Sequence, residues 1–118
     1  MVKKIIEEKK LSIPEVKELL GKVYERMERL NTPTDPFTEA TYEYVHNFAK
    51  MEAKMARDII QMLMKDYDMD EELAIQIVNI DPNYPEELKT IFQRDPALKS
   101  LSDDELQVMI QKIRTLQE

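Results

Sequence analysis

Two spacings in this chain belong to metal chemistry. Glu43-x-x-His46 sets a carboxylate and an imidazole one helical turn apart, the element from which carboxylate di-metal bundles are built. Those sites take two such elements and further glutamates around one cavity, and the chain has a single histidine. Only a symmetric dimer would complete the set, so His46 reads as a surface or boundary residue. Asp66, Asp68 and Asp70 stand at i, i+2 and i+4, the opening of a calcium loop. That loop needs glycine at its sixth position and a bidentate glutamate at its twelfth. Here they are Glu71 and Ile77, so the aspartates read as a solvated turn and a helix cap.

Other chemistries lack their parts. There is no cysteine, hence no thiol nucleophile, disulfide or thiolate metal site, which suits a reducing cytosol. Gly21 is the one glycine, so no glycine-rich loop cradles a phosphate. A lone histidine suggests no Ser-His-Asp arrangement. Carboxylates abound, but they lie in charged runs, and a catalytic pair needs burial to drive two pKa values apart. The expectation is a protein without catalysis, metal or cofactor. Its net charge of −7 repels phosphates and argues against autonomous nucleic-acid binding. The charge is uneven: residues 1–11 carry Lys3, Lys4, Lys9 and Lys10 against Glu7 and Glu8.

The elements behind these residues are helical. Apolar residues make up 42% of the chain and charged residues 35%, a balance that suits amphipathic helices better than disorder. Scarce glycine argues against an all-β fold. The apolar runs are short, so neither a signal peptide nor a membrane span is expected. Residues 2–7 alternate poorly, and by pattern are a frayed tail or a strand added to a partner's sheet edge. Ser12-Ile13-Pro14-Glu15 is a capping box with proline in the first turn. It predicts a helix striped by Val16, Leu19, Leu20, Val23, Met27 and Leu30. Gly21 interrupts that stripe, as a surface glycine or as a point of close approach. The stripe must be buried somewhere, on this domain or on another chain.

Asn31-Thr32-Pro33-Thr34-Asp35-Pro36 predicts a linker, with Asp35 capping the next helix and Pro36 at its first position. Phe37, Thr41, Tyr44, Phe48 and Met51 form the stripe of that helix. Residues 53–65 predict a third, on which Ala56, Ile59, Ile60 and Leu63 share a face. Asp70 caps a fourth with Leu73, Ala74, Ile77 and Ile80, which Pro82 ends. Asn83 and Pro85 open a short fifth with Leu88, Ile91 and Phe92, broken by Asp95-Pro96. Ser102 and Glu105 box the last, striped by Leu106, Met109, Ile110 and Ile113. Met55, Met62 and Met69 fall seven apart, as core filling or as an adaptable contact surface. Tyr42, Tyr44, Tyr67 and Tyr84 are interface anchors or edge-of-core residues.

Order and spacing add a family resemblance. Tyr42-Glu43-Tyr44-Val45-His46-Asn47-Phe48-Ala49-Lys50-Met51 is followed by Ala74-Ile75-Gln76-Ile77-Val78-Asn79-Ile80-Asp81-Pro82 and Pro85-Glu86-Glu87-Leu88-Lys89-Thr90-Ile91-Phe92. With the lysine-rich N-terminus, the Ile13–Leu20 segment and the acid-capped last helix, this resembles F, the small stalk subunit of archaeal RNA polymerase and counterpart of the eukaryotic fourth subunit. Two departures are Pro33–Phe37, where the family has a Leu-Ser-x-Glu-Gln type of entry, and residues 94–100, a longer connection.

The resemblance implies a mostly α fold. Residues 1–34 would be an N-terminal strand and helix that pack on a partner chain, and residues 35–118 a helical domain similar to the HRDC domain of helicases and RNase D. The partner implied is E, the larger stalk subunit, which carries an oligonucleotide-binding domain; together they form the E–F stalk heterodimer of the polymerase. Val2, Ile5, Ile6, Leu11 and Ile13 are the implied strand contacts to E, and Val16, Leu19, Leu20 and Val23 the helical ones. Phe48, Ile80, Leu88, Ile91 and Phe92 are implied as core or near-interface residues of the HRDC-like domain. A non-catalytic, cytoplasmic subunit follows, with no cofactor. It would support DNA opening, with transcription factor E, and would handle nascent RNA mainly through its stalk partner. A stand-alone HRDC-type nucleic-acid module, which should show a basic face, and a generic helical adaptor are the competing classes.

Overall fold

Most helices of this chain begin where a side chain or a proline relieves the unpaired N–H groups of a first turn. The computed structural model describes residues 10–118. Among them the chain forms α1 (Ile13–Arg29), α2 (Pro36–Phe48), α3 (Ala53–Asp66), α4 (Glu71–Ile80), α5 (Pro85–Ile91), α6 (Pro96–Lys99) and α7 (Asp103–Leu116). No strand occurs among the described residues. The expected strand of residues 2–7, with Val2, Ile5 and Ile6, lies outside them. Its continuation through Ile13 is corrected: Ile13 is already the first residue of α1, because Ser12 and Glu15 close a capping box there. The Ser12 N–H and hydroxyl both donate to the Glu15 carboxylate, at 3.1 and 2.9 Å. Leu11 precedes the helix in irregular backbone.

The linker is a turn that folds α1 back on α2. The Thr32 N–H donates to the Met27 carbonyl and the Asn31 N–H to that of Glu28, with Asn31 at φ 55°. Those two bonds and that left-handed residue make a Schellman cap. Asp35 then starts α2 by accepting from the Thr38 N–H at 2.7 Å and from its hydroxyl at 2.9 Å. These bonds, the backbone one foremost, hold the Asp35 carboxyl below the ordinary carboxylate range. Asp68, at φ 50°, forms the turn before α4, and Asp70 is the residue that precedes that helix.

The core runs through α3 to α7. Ala56, Ile59, Ile60 and Leu63 meet Ala74, Ile77 and Val78 of α4, Leu88 and Phe92, and Leu106, Met109, Ile110 and Ile113 of α7. Met69 belongs to this cluster and Met62 packs against it, so these two methionines fill core space. The Asp95-Pro96 break is itself a one-turn helix: Asp95 accepts from the Ala97 and Leu98 N–H groups, and Leu98 enters the core. Arg114 locks the α4–α5 turn to the end of α7. It donates to Asp81 at 2.9 Å, to the Pro82 carbonyl at 2.9 Å, and to Asn83.

α2 contributes nothing to that cluster; its one buried residue is Val45. It leans chiefly on α1, which also contacts α3. The radius of gyration is 17.2 Å, against roughly 13–14 Å for a compact chain of this length. An α1–α2 hairpin standing beside the α3–α7 bundle accounts for the excess.

Gly21 sits in α1 with open space where a Cβ would be. No element among the described residues approaches it, so alanine should stabilise the helix by about 0.5–1 kcal/mol. Gly21→Ala is therefore expected to raise the thermal midpoint. A lowered midpoint would reveal a packing contact at this position.

Candidate partner-docking site

The hairpin covers only part of the apolar stripes that build it. Tyr24 of α1 meets Tyr42 of α2 with ring centroids 4.6 Å apart, and residues 30–35 connect the helices. That pairing makes them antiparallel, with Leu19 across from Phe48, Val23 from Tyr44 and Leu30 from Phe37. With 3.6 residues per turn, Leu19, Val23 and Leu30 lie to one side of the half-buried Leu20–Tyr24–Met27 line. Phe37, Tyr44 and Phe48 lie to the same side of Val45. All six are exposed, Leu19 by 47%, Leu30 by 68% and Phe37 by 81%. The Tyr44 and Phe48 rings meet with centroids 4.7 Å apart, which joins the α2 part of the face. Together the six expose on the order of 600 Å² of apolar residue surface, at the upper end of what a monomer normally shows water.

α1 is held in place from its N-terminal end. The Ile13 N–H donates to the Asn79 side chain at 2.8 Å, Glu18 pairs with Arg57 of α3 at 3.6 Å, and Lys10 pairs with Glu72 of α4 at 2.7 Å. The Glu72 hydrogen bond raises the Lys10 pKa, and the same bond lowers that of Glu72. The Tyr24 phenol is shifted up, by desolvation first and then by Glu39 and Asp35.

The expected contact residues divide by position. Leu19 and Val23 are on the open face. Leu11, Ile13, Val16 and Leu20 are half-buried. Leu88 and Phe92 are core residues, and Ile91 packs against the core. Phe48 and Ile80, expected as core or near-interface residues, are 49% and 41% exposed, so of the two positions only the near-interface one suits them. Val45 takes the inward side of α2 in place of Phe48, and Val78 takes that of α4 in place of Ile80. The sequence places Phe37 and Tyr44 on the α2 stripe and Leu30 on the α1 stripe without saying which of them stay open. The signal for them was the pair of stripes flanking one short turn, wider together than one hairpin contact can cover.

His46 is exposed, its ring 6.0 Å from that of Tyr42. Among the described residues no three His, Cys, Asp or Glu side chains could hold a metal ion, and no helix is long and apolar enough to cross a membrane. What the geometry offers is a contact surface.

Comparison with known proteins places the chain in a family. No curated protein matches the chain. The family profile of RNA polymerase Rpb4 matches residues 10–117, from the cap of α1 to the end of α7. The chain belongs to the RNA polymerase Rpb4 family and is an RNA polymerase subunit of the type that archaea use as F.

Proposed function

We propose that this chain is a non-catalytic subunit of archaeal DNA-directed RNA polymerase that forms the E–F stalk heterodimer with the larger stalk subunit. Residues 1–34 supply the docking segment, with Leu19 and Val23 as open contacts and Val2, Ile5, Ile6, Leu11 and Ile13 toward the N-terminus. Residues 35–118 form the HRDC-like helical domain. The observation that carries this reading is an exposed apolar face on a hairpin outside the core, in a chain of the Rpb4 family. A stripe left open in this way is completed by another chain. Through that partner the subunit joins the polymerase core in the cytoplasm. It supports DNA opening together with transcription factor E and handles nascent RNA indirectly.

Charge supports the indirect role. Residues 66–118 carry five Lys and Arg against thirteen Asp and Glu, a net −8. That field disfavours the phosphate grip of a stand-alone nucleic-acid module.

Co-expression with the cognate larger stalk subunit tests the reading, with sizing and amide hydrogen exchange on free and complexed chain. The expected result is a one-to-one complex with new protection within residues 2–30. No complex, or unchanged protection there, overturns it in favour of a generic helical adaptor.

A further inference from the structure

We propose that the exposed edge of α2, formed by Phe37, Tyr44 and Phe48, is the second half of the docking face. Its occupant is the same partner chain that meets α1, presenting an apolar ridge bordered by acidic groups. This extension rests on the reading of α1 as the docking helix, and it moves the interface past residue 34.

Three observations carry it. The first is continuity: the antiparallel register sets Leu30, Val23 and Leu19 beside Phe37, Tyr44 and Phe48, so a chain seated on one edge meets the other. The second is area. The α1 residues alone expose under half of the roughly 600 Å² face, while a standard interface buries about 800 Å² per partner. With α2 included, the face approaches that size and gains the aromatic anchors typical of binding hot spots. The third is charge. Arg26 borders the apolar edge on the α1 side and Arg29 lies one turn further on, toward the outer face of the helix; among the described residues neither has an ion-pair partner within 4.0 Å. On the α2 side the border is Ala40 and Asn47, which are uncharged. The face is therefore apolar with a cationic margin on one side, and its complement carries carboxylates along that margin.

The experiment measures the affinity of the full chain for the purified larger stalk subunit. Phe48→Ser, Tyr44→Ser and the double charge reversal of Arg26 and Arg29 to Glu are compared with the unsubstituted chain. The substituted positions are solvent-exposed, and far-UV circular dichroism checks that helicity is kept. Expected are at least about a tenfold loss for each aromatic variant, and for the charge reversal a loss that shrinks as salt is raised. Affinities for all three variants equal to the unsubstituted chain, while Leu19→Asp weakens binding, overturn the proposal and confine docking to α1. If the unsubstituted chain forms no complex, both the proposal and the reading beneath it fail. A dimer of the isolated chain dissolved by Phe48→Ser would then assign the face to a second copy.

Discussion

Leu19→Asp is expected to weaken the complex with the larger stalk subunit roughly 100-fold, close to 3 kcal/mol, with the α3–α7 bundle intact. Leu19 is 47% exposed in the free chain, so the aspartate stays in water until the partner arrives. The complex then either buries an unpaired carboxylate or gives up the contact, and breaking the match at a desolvated position costs several kcal/mol. In the free chain the change is limited to helix propensity, a few tenths of a kcal/mol. Titration calorimetry against the partner, paired with a thermal melt of the variant, separates the two effects. Unchanged affinity alongside lost helicity in residues 37–118 would refute the assignment of Leu19 to the docking face.

Phe92→Ala should do the reverse. Phe92 is 1% exposed and among the largest fully buried side chains of the described residues. It sits at the end of α5 in the cluster shared by α3, α4 and α7. Removing a buried phenylalanine loses its transfer free energy and leaves a cavity, for about 3–5 kcal/mol. A domain of this size holds only about 5–15 kcal/mol in total. Urea denaturation followed by far-UV circular dichroism should show a large drop in midpoint, whereas Ile80→Ala, at a 41% exposed position, should cost far less. Equal midpoints for the two variants would show that Phe92 is not a core residue.

The two predictions rest on different kinds of legibility. Helix starts could be read residue by residue, because a cap is a local interaction: Ser12 with Glu15, Asp35 with Pro36, and Ser102 with Glu105 each sit where a helix begins. The core faces of α3 and α7 were equally readable, since nearly every residue of their apolar stripes points inward. α2 was not. Its sequence has apolar residues on two adjoining sides, and periodicity shows that a helix is amphipathic without saying which side meets its own chain. Val45 turned inward and Phe48 outward, a difference set by where α1 lies. Ile80 and Val78 of α4 repeat the pattern. α6 was hidden for another reason: Asp95-Pro96 ends one helix and begins another, and the four residues of α6 are too few to show a period.

The locking of the α4–α5 turn by Arg114 has a consequence for how the protein is made. The bundle draws Leu106, Met109, Ile110 and Ile113 from α7, and the guanidinium that secures the α4–α5 turn belongs to the same helix. A ribosome must release everything from α3 through α7 before that core can close. The α1–α2 hairpin depends on neighbours about twenty residues apart, and such short-range contacts form early. During synthesis, the α1–α2 contacts therefore come within reach before the bundle closes, and α1 gains its anchors on Arg57, Glu72 and Asn79 only as α3 and α4 follow.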